Sequence, residues 1–449
     1  MKTDVCNAPV ALTSQQALDD WNAMIRAFLA HGKDAAPRLG AVLEAEPDFA
    51  LGHATKGIFS LLMGRRELVS AAHDAAAKLK TLDTSDPRTQ AWTDALEAWL
   101  NGWSSKSVTI LQRALDRMPH DTLTLKVNHA IRFIRGDSVG MRWSVERALD
   151  AHRDHPFEGF VLGCHAFALE ETGAYTAAER AGRAGLELAG DDAWGLHAVA
   201  HVHDMTGQAE KGIALIEQNT SAWDHCNNFR YHVWWHKALL HLDEGETDIV
   251  LSLYDRKIRE EKTDDFRDIA NATSILTRLE LEGVSVADRW AELADLSEQR
   301  VDDACLAFAD LHYMLALAGD RRADAAQRMI GRLHADRATL SEAAQVSHHP
   351  GHSVAQGIQD FAEGRYATAF HHLVAGHDDL QTIGGSHAQR DVFERITIDA
   401  GIRAGQLDAA EDLLIQRRSR RNGTEDRFAA TRFATIQDAR AAADAIPAQ

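Results

Sequence analysis

Apolar positions along the chain fall into paired amphipathic stretches, each pair split by a turn glycine. The clearest unit runs from Glu46 to Leu79, EPDFALGHATKGIFSLLMGRRELVSAAHDAAAKL. Its apolar residues recur at helical spacing on both sides of Gly64, which predicts two helices and a tight turn. Pro47 and Asp48 are expected to open the first helix, because proline suits the first turn and an acid suits its positive end. Gly64 is expected to close it in the left-handed conformation, which glycine reaches without steric cost. Gly57 is small where the paired helix would approach, and Ala71 and Ala75 lie one turn apart on the second helix.

The same punctuation recurs at Gly102, Gly136, Gly173, Gly207, Gly245, Gly283, Gly319, Gly364 and Gly405. The spacings are 34 to 38 residues as far as Gly319, then 45 and 41. A period of roughly 34 residues is that of a tetratricopeptide-like helix–turn–helix unit. Pro87, Pro119 and Pro156 precede helices expected to end at Gly102, Gly136 and Gly173, and Asp191–Asp192 takes the same place before Gly207. One unit cannot bury its apolar stripe alone, so neighbours must stack. The predicted fold is all-α, with helix–turn–helix repeats stacked into an α-α superhelix. It forms a single solenoid over residues 1–449, clearest over about 46–245 and more divergent over about 246–440. No convincing run of strands is visible. Ser341 to His352, SEAAQVSHHPGH, reads as a loop, Arg417 to Arg427 as irregular, and the residues after Pro447 as a frayed end.

Composition narrows the partners. The net charge is -19, a surface that repels phosphate backbones and anionic lipid, so neither nucleic acid nor membrane is an expected partner. The basic run Arg417, Arg418, Arg420 and Arg421 reads as a solvated helix end. The four cysteines form no CxxC pair, and the N-terminus lacks a signal-peptide core. A reduced, cytoplasmic protein is the expectation. Cys164–His165 and Cys226–His225 are sequence neighbours whose side chains would not face each other on a helix.

Histidine is the second signal. There are 24 histidines, and several sit within helices beside tryptophan. In WGLHAVAHVHDMTG (194–207), His197 and His201 share a face, Asp204 continues the stripe, and His203 points elsewhere. In HCNNFRYHVWWHKALLHL (225–242), His232 and His236 share a face with Trp235 beside them. Neighbouring helices would bring the two pairs together. Such pairs serve as acid/base groups or as metal ligands, so His197, His201, His232 and His236 are candidates for both roles. Asp310 and His312 in FADLHYMLALAG (308–319) are candidates to orient them. HExxH is absent, because Val233 follows His232. Trp194, Trp223, Trp234 and Trp235 read first as core, with Trp194 and Trp235 the candidates to line a ligand cleft. Gly384–Gly385–Ser386 reads first as a turn with a serine cap and second as an anion site at a helix start. Gln389, Arg390 and Asp391 follow as ligand-binding candidates, Arg390 as a clamp for carboxylate or phosphate.

The segments HAVAHVHDMTG, HVWWHKALLHLDEGETDIVLSLYD, LTRLELEGVSVADRW, FADLHYMLALAG and IGGSHAQRDVFERITIDA resemble, in that order, the tetratricopeptide repeat protein 38 family. The resemblance implies a helical repeat protein and carries no reaction, substrate or cofactor. Two functions stay open. One is a binding protein whose concave, His/Trp-lined surface takes a protein, a peptide or a small ligand. The other is a small-molecule enzyme, with hydrolysis, metal-assisted or not, as the mildest chemistry for histidines and carboxylates. Oligomeric state and cofactor are left open by the sequence.

Overall fold

A computed structural model describes residues 2–335 and 341–444; the frayed end expected beyond Pro447 lies outside them. The described chain is almost wholly helical. Its helices come in consecutive packed pairs, such as Ala50–Leu62 with Arg66–Leu79 and Glu158–Glu171 with Tyr175–Leu188. The pairs stack into an α-α superhelix. The one sheet among the described residues is a two-strand pairing of Lys2–Thr3 with Pro9–Val10. No helix of the described residues is long and apolar enough to cross a membrane.

The chain starts its helices where the sequence provides caps. Asp86 accepts from the backbone N–H groups of Arg88 and Thr89 with Pro87 in the first turn, and Asp121, Asp192 and Asp265 cap in the same way. Each cap satisfies backbone N–H groups that have no partner inside the helix. Pro47 and Asp48 do not open a helix, contrary to expectation. The backbone stays extended at Phe49, and the helix begins at Ala50. Gly57 is placed as expected, since a Cβ there would come 2.5 Å from Leu96 Cδ2.

Nine of the ten turn glycines adopt positive φ. The exception is Gly319, which ends the helix Ala307–Gly319 with Trp290 packed on it, while Arg321 takes the left-handed position at φ 58. Ser341 to His352 is not a loop. It forms the helix Glu342–Val346, a wide helical turn Ser347–Gly351 containing a cis His349–Pro350 bond, and the start of the helix His352–Ala362. Ser341 caps it by accepting from Ala344 N–H. Over Arg417 to Arg427, the helix Leu407–Arg420 continues through the arginine run, and a turn leads to the helix Arg427–Asp444.

The later half of the chain lies along the row of turns made by the earlier half. Gly64 meets Leu306, Gly102 meets Ser341, Gly136 meets Gln381, Gly207 meets Thr424 and Gly245 meets Arg427, in ascending order on both sides. Hydrogen bonds close the seam. Glu342 N–H donates to the Gly102 carbonyl (3.0 Å), Gln381 Nε2 to the Gly136 carbonyl (2.8 Å) and Tyr175 Oη to the Arg420 carbonyl (2.7 Å). These five turn glycines therefore serve twice, once for their backbone angle and once for the close approach that a Cβ would block.

This closure explains where polar residues end up. The first helices of the central pairs are enclosed on nearly all sides. Ala193–Met205 buries every residue except Asp204, whereas the outer helix Tyr175–Leu188 buries only Tyr175, Ala178, Gly182 and Gly185. A helix buried all round has no solvent face for its histidines, so those side chains must find partners inside.

Candidate functional site

The helices Ala193–Met205 and Phe229–Asp243 pack as neighbours, and their two histidine pairs converge. His197 Nε2 lies 3.0 Å from His201 Nε2, and His232 Nε2 lies 3.1 Å from His236 Nε2. Across the helices, the His201 and His236 rings are 4.3 Å apart and the His197 and His236 rings 4.9 Å. All four residues are buried. Three of their outer nitrogens face oxygen acceptors: His232 Nδ1 lies 2.8 Å from Asn271 Oδ1, His197 Nδ1 lies 3.3 Å from the Trp194 carbonyl, and His201 Nδ1 lies 3.4 Å from Glu170 Oε2. Burial pushes the basicity of His197 and His236 well below the usual imidazole range and that of His232 down to about 4, so these rings are neutral at physiological pH.

Glu170 connects this cluster to a second one. It ends, with Glu171, the helix Glu158–Glu171 just before the turn at Gly173, where the helix dipole disfavours a carboxylate. The helix His387–Arg403 compensates. His387 Nε2 donates to Glu170 Oε1 in a short hydrogen bond, and the His387 backbone N–H donates to Glu171 Oε1 at 2.8 Å. Burial alone would raise the Glu170 carboxyl, but His387 and His201 outweigh it and hold it at about 2. Burial likewise opposes charge on His387, but Glu170 and Glu171 lift it to about 9. The result is an ion pair. Glu170, Glu171, His201 and His387 also bring ligand atoms within 4.8 Å of one another, as the four helical histidines do.

His387 is placed by Gly384–Gly385–Ser386. Both glycines have positive φ, and a Cβ on Gly384 would overlap the Ile134 carbonyl. Ser386 and Gln389 form a reciprocal capping box. The anion at this helix start is the chain's own Glu171.

Beside the ion pair opens a chamber of about 550 Å³, lined by Glu170, Glu171 and His387 together with Arg278, Arg390, Asp243 and the arginine-rich end of the helix Leu407–Arg420. Most of its charges are paired. Arg417 bonds Asp426 (2.6 Å) and Asp391 (2.7 Å), and Arg421 bonds Asp204 (3.1 Å). Arg278 is different. It is buried, it donates to the Ala388 carbonyl and to Ser274, and its nearest carboxylate in an ion pair, Asp391, is 3.5 Å away. Its Nε has no hydrogen-bond partner among the described residues. Burial pulls this guanidinium down to about 9, the behaviour of a cation short of compensating charge. Arg390 is held by the Gly384 and Gly385 carbonyls and lies 3.4 Å from Glu171.

The predicted residues divide accordingly. His197, His201, His232 and His236 come together, and Arg390 and Asp391 line the chamber. Asp310 and His312 do not orient the cluster. Asp310 pairs with Arg332 at 2.7 Å, and His312 donates from Nδ1 to the Phe308 carbonyl and packs on Phe308 and Phe393. Trp194 and Trp235 do not line this chamber. They pack against His197 and His232, with ring centroids 4.9 Å and 5.1 Å away. Gln389 is a capping residue. The arginine run is solvated only in part, because Arg417 and Arg421 are buried and ion-paired while Arg418 and Arg420 keep exposed side chains. Cys226 does approach His225, Sγ to Nε2 at 3.8 Å, since both lie in a turn and not on a helix. Burial raises that thiol to about 12, which makes it a poor nucleophile.

Sequence reasoning missed Glu170, His387, Arg278 and Asn271. The two glutamates placed against the helix dipole, directly before a turn glycine, were the available signal. No known protein-family model matches the chain.

Proposed function

We propose that the chain is a small-molecule enzyme whose substrate carries an anionic group and reacts in this chamber, with hydrolysis as the reaction. The observation that carries this reading is Arg278, a buried and under-compensated guanidinium in the same chamber wall as the Glu170–His387 pair. A buried arginine without a full complement of carboxylates is suited to hold a carboxylate or phosphate. Arg390 supplies a second donor. Imidazole and carboxylate side by side move protons to and from water and a leaving group, which hydrolysis requires.

A peptide in an open concave groove has less support, because later helices of the same chain cover the turns of the earlier ones. The reading includes the tetratricopeptide-like identity and the resemblance to the tetratricopeptide repeat protein 38 family, which rest on sequence motifs alone. It also keeps a cytoplasmic location and no nucleic-acid partner, both argued from charge and composition.

The test is turnover of a mixed panel of carboxylate-bearing amides, carboxylate-bearing esters and phosphomonoesters by the full chain, followed by mass spectrometry. His387→Gln and Glu170→Gln are expected to lower turnover by about 10²–10⁴-fold, the usual contribution of an acid–base group, with the helical circular dichroism unchanged. Absence of turnover across the panel, or turnover indifferent to both substitutions, overturns the reading.

A further inference from the structure

The inner nitrogens of the four helical histidines lie 3.0 and 3.1 Å apart within the two pairs, a distance suited to a hydrogen bond only where one of the two carries the hydrogen. Asn271 Oδ1, the Trp194 carbonyl and Glu170 Oε2 lie behind the Nδ1 atoms of His232, His197 and His201. The hydrogen bonds to Asn271 and the Trp194 carbonyl, and the negative charge of Glu170 beside His201, favour the tautomer with hydrogen on Nδ1, which leaves the lone pair on Nε2. For His197 and His201 those lone pairs then face each other at 3.0 Å. A cation between the rings turns that repulsion into two bonds. A tetrahedral ion held at about 2.0–2.1 Å from each nitrogen requires ligand nitrogens about 3.3 Å apart, close to the 3.0 and 3.1 Å found within the two pairs.

We propose that His197, His201, His232 and His236 bind one divalent first-row transition ion, best matched by zinc(II), which ties the helix Ala193–Met205 to the helix Phe229–Asp243. The donor set is all imidazole, which suits zinc, copper, iron or nickel and not the oxygen-seeking calcium or magnesium. The outer acceptors are the kind that hold metal-binding histidines in place, and Glu170 behind His201 makes a carboxylate–histidine–metal line. Aromatic rings complete the surround, with Trp235 stacked on His232 and Phe167 on His197. None of the four histidines lines the chamber. Four protein ligands and no opening make a structural ion, so this site does not depend on the enzymatic reading.

The test uses the full chain, stripped with chelator and titrated with Co²⁺ as a spectroscopic stand-in for zinc. One Co²⁺ per chain with the intense visible bands of a tetrahedral nitrogen site is expected. Zn²⁺ is expected to displace it and to raise the thermal midpoint. His197→Gln and His236→Gln should abolish both effects. The triple change His334→Gln, His348→Gln and His352→Gln, at a separate group of histidines, should leave them intact. If the cluster variants fail to fold, anomalous scattering from a Co²⁺-loaded wild-type crystal locates the ion directly. No bound ion, an octahedral spectrum, or an anomalous peak at Glu170, Glu171 and His387 would each overturn the proposal.

Discussion

At the scale of residues, the interior is organised by how each buried polar group is compensated. Arg417 has two carboxylates, Glu170 has two imidazoles and Arg278 has too little. Asp243 adds a titratable group to the chamber wall. Burial, then the neighbouring Asp426, lifts its carboxyl to about 6, while the Arg427 backbone N–H and Arg421 pull it down and Asp204 adds to the rise. Below that pH Asp243 is neutral, and the chamber loses a negative charge. An anionic ligand should therefore bind several-fold more tightly at pH 5 than at pH 7, a difference on the order of 1 kcal/mol. Asp243→Asn should flatten that dependence, as titration calorimetry with sulfate, whose own charge does not change between these pH values, would measure. The four helical histidines were legible because i, i+4 spacing by itself fixes a shared helix face. Glu170, Asn271 and His387 were not, because they reach the site from three other helices, and local periodicity says nothing about which helices meet.

The helices themselves were the most readable level. Turn glycines and aspartate caps marked most boundaries, because both answer a local need of the backbone. The errors arose where a second partner decided the outcome. Gly319 ends a helix under Trp290 without turning left-handed, and Ser341 to His352 looked like a loop because of Pro350 and Gly351, yet the wide turn between its two helices holds both. Gly384 shows the two demands at once. Gly283 has φ +77 with open space around it, whereas Gly384 has φ +87 and sits on the Ile134 carbonyl. Gly283→Ala should cost about 1–2 kcal/mol, the left-handed penalty alone. Gly384→Ala should cost more and should also weaken ligand binding, since its loop carries His387. Chemical denaturation of the two variants checks the order. Equal losses would mean the helix His387–Arg403 shifts freely and is not held in place by this contact.

The whole molecule is a repeat superhelix that folds its second half over the turns of its first. Period and patterning make the stack predictable, but not its closure, which depends on contacts between residues some 180 to 250 positions apart, such as Tyr175 with Arg420 and Gln381 with Gly136. Closure converts a groove into a chamber and explains why a chain with net charge -19 buries so many arginines and histidines. It also bears on the proposed function, because the chamber's volume of about 550 Å³ falls within the usual range of small-ligand pockets. The most direct measurement is native mass spectrometry of the full chain titrated with malonate, citrate and glycerol phosphate, beside an acidic peptide of about a dozen residues. The account predicts one small anion per chain, lost in Arg278→Gln, and no retained peptide. Retention of the peptide with no small anion bound would contradict it and would make the molecule an open scaffold.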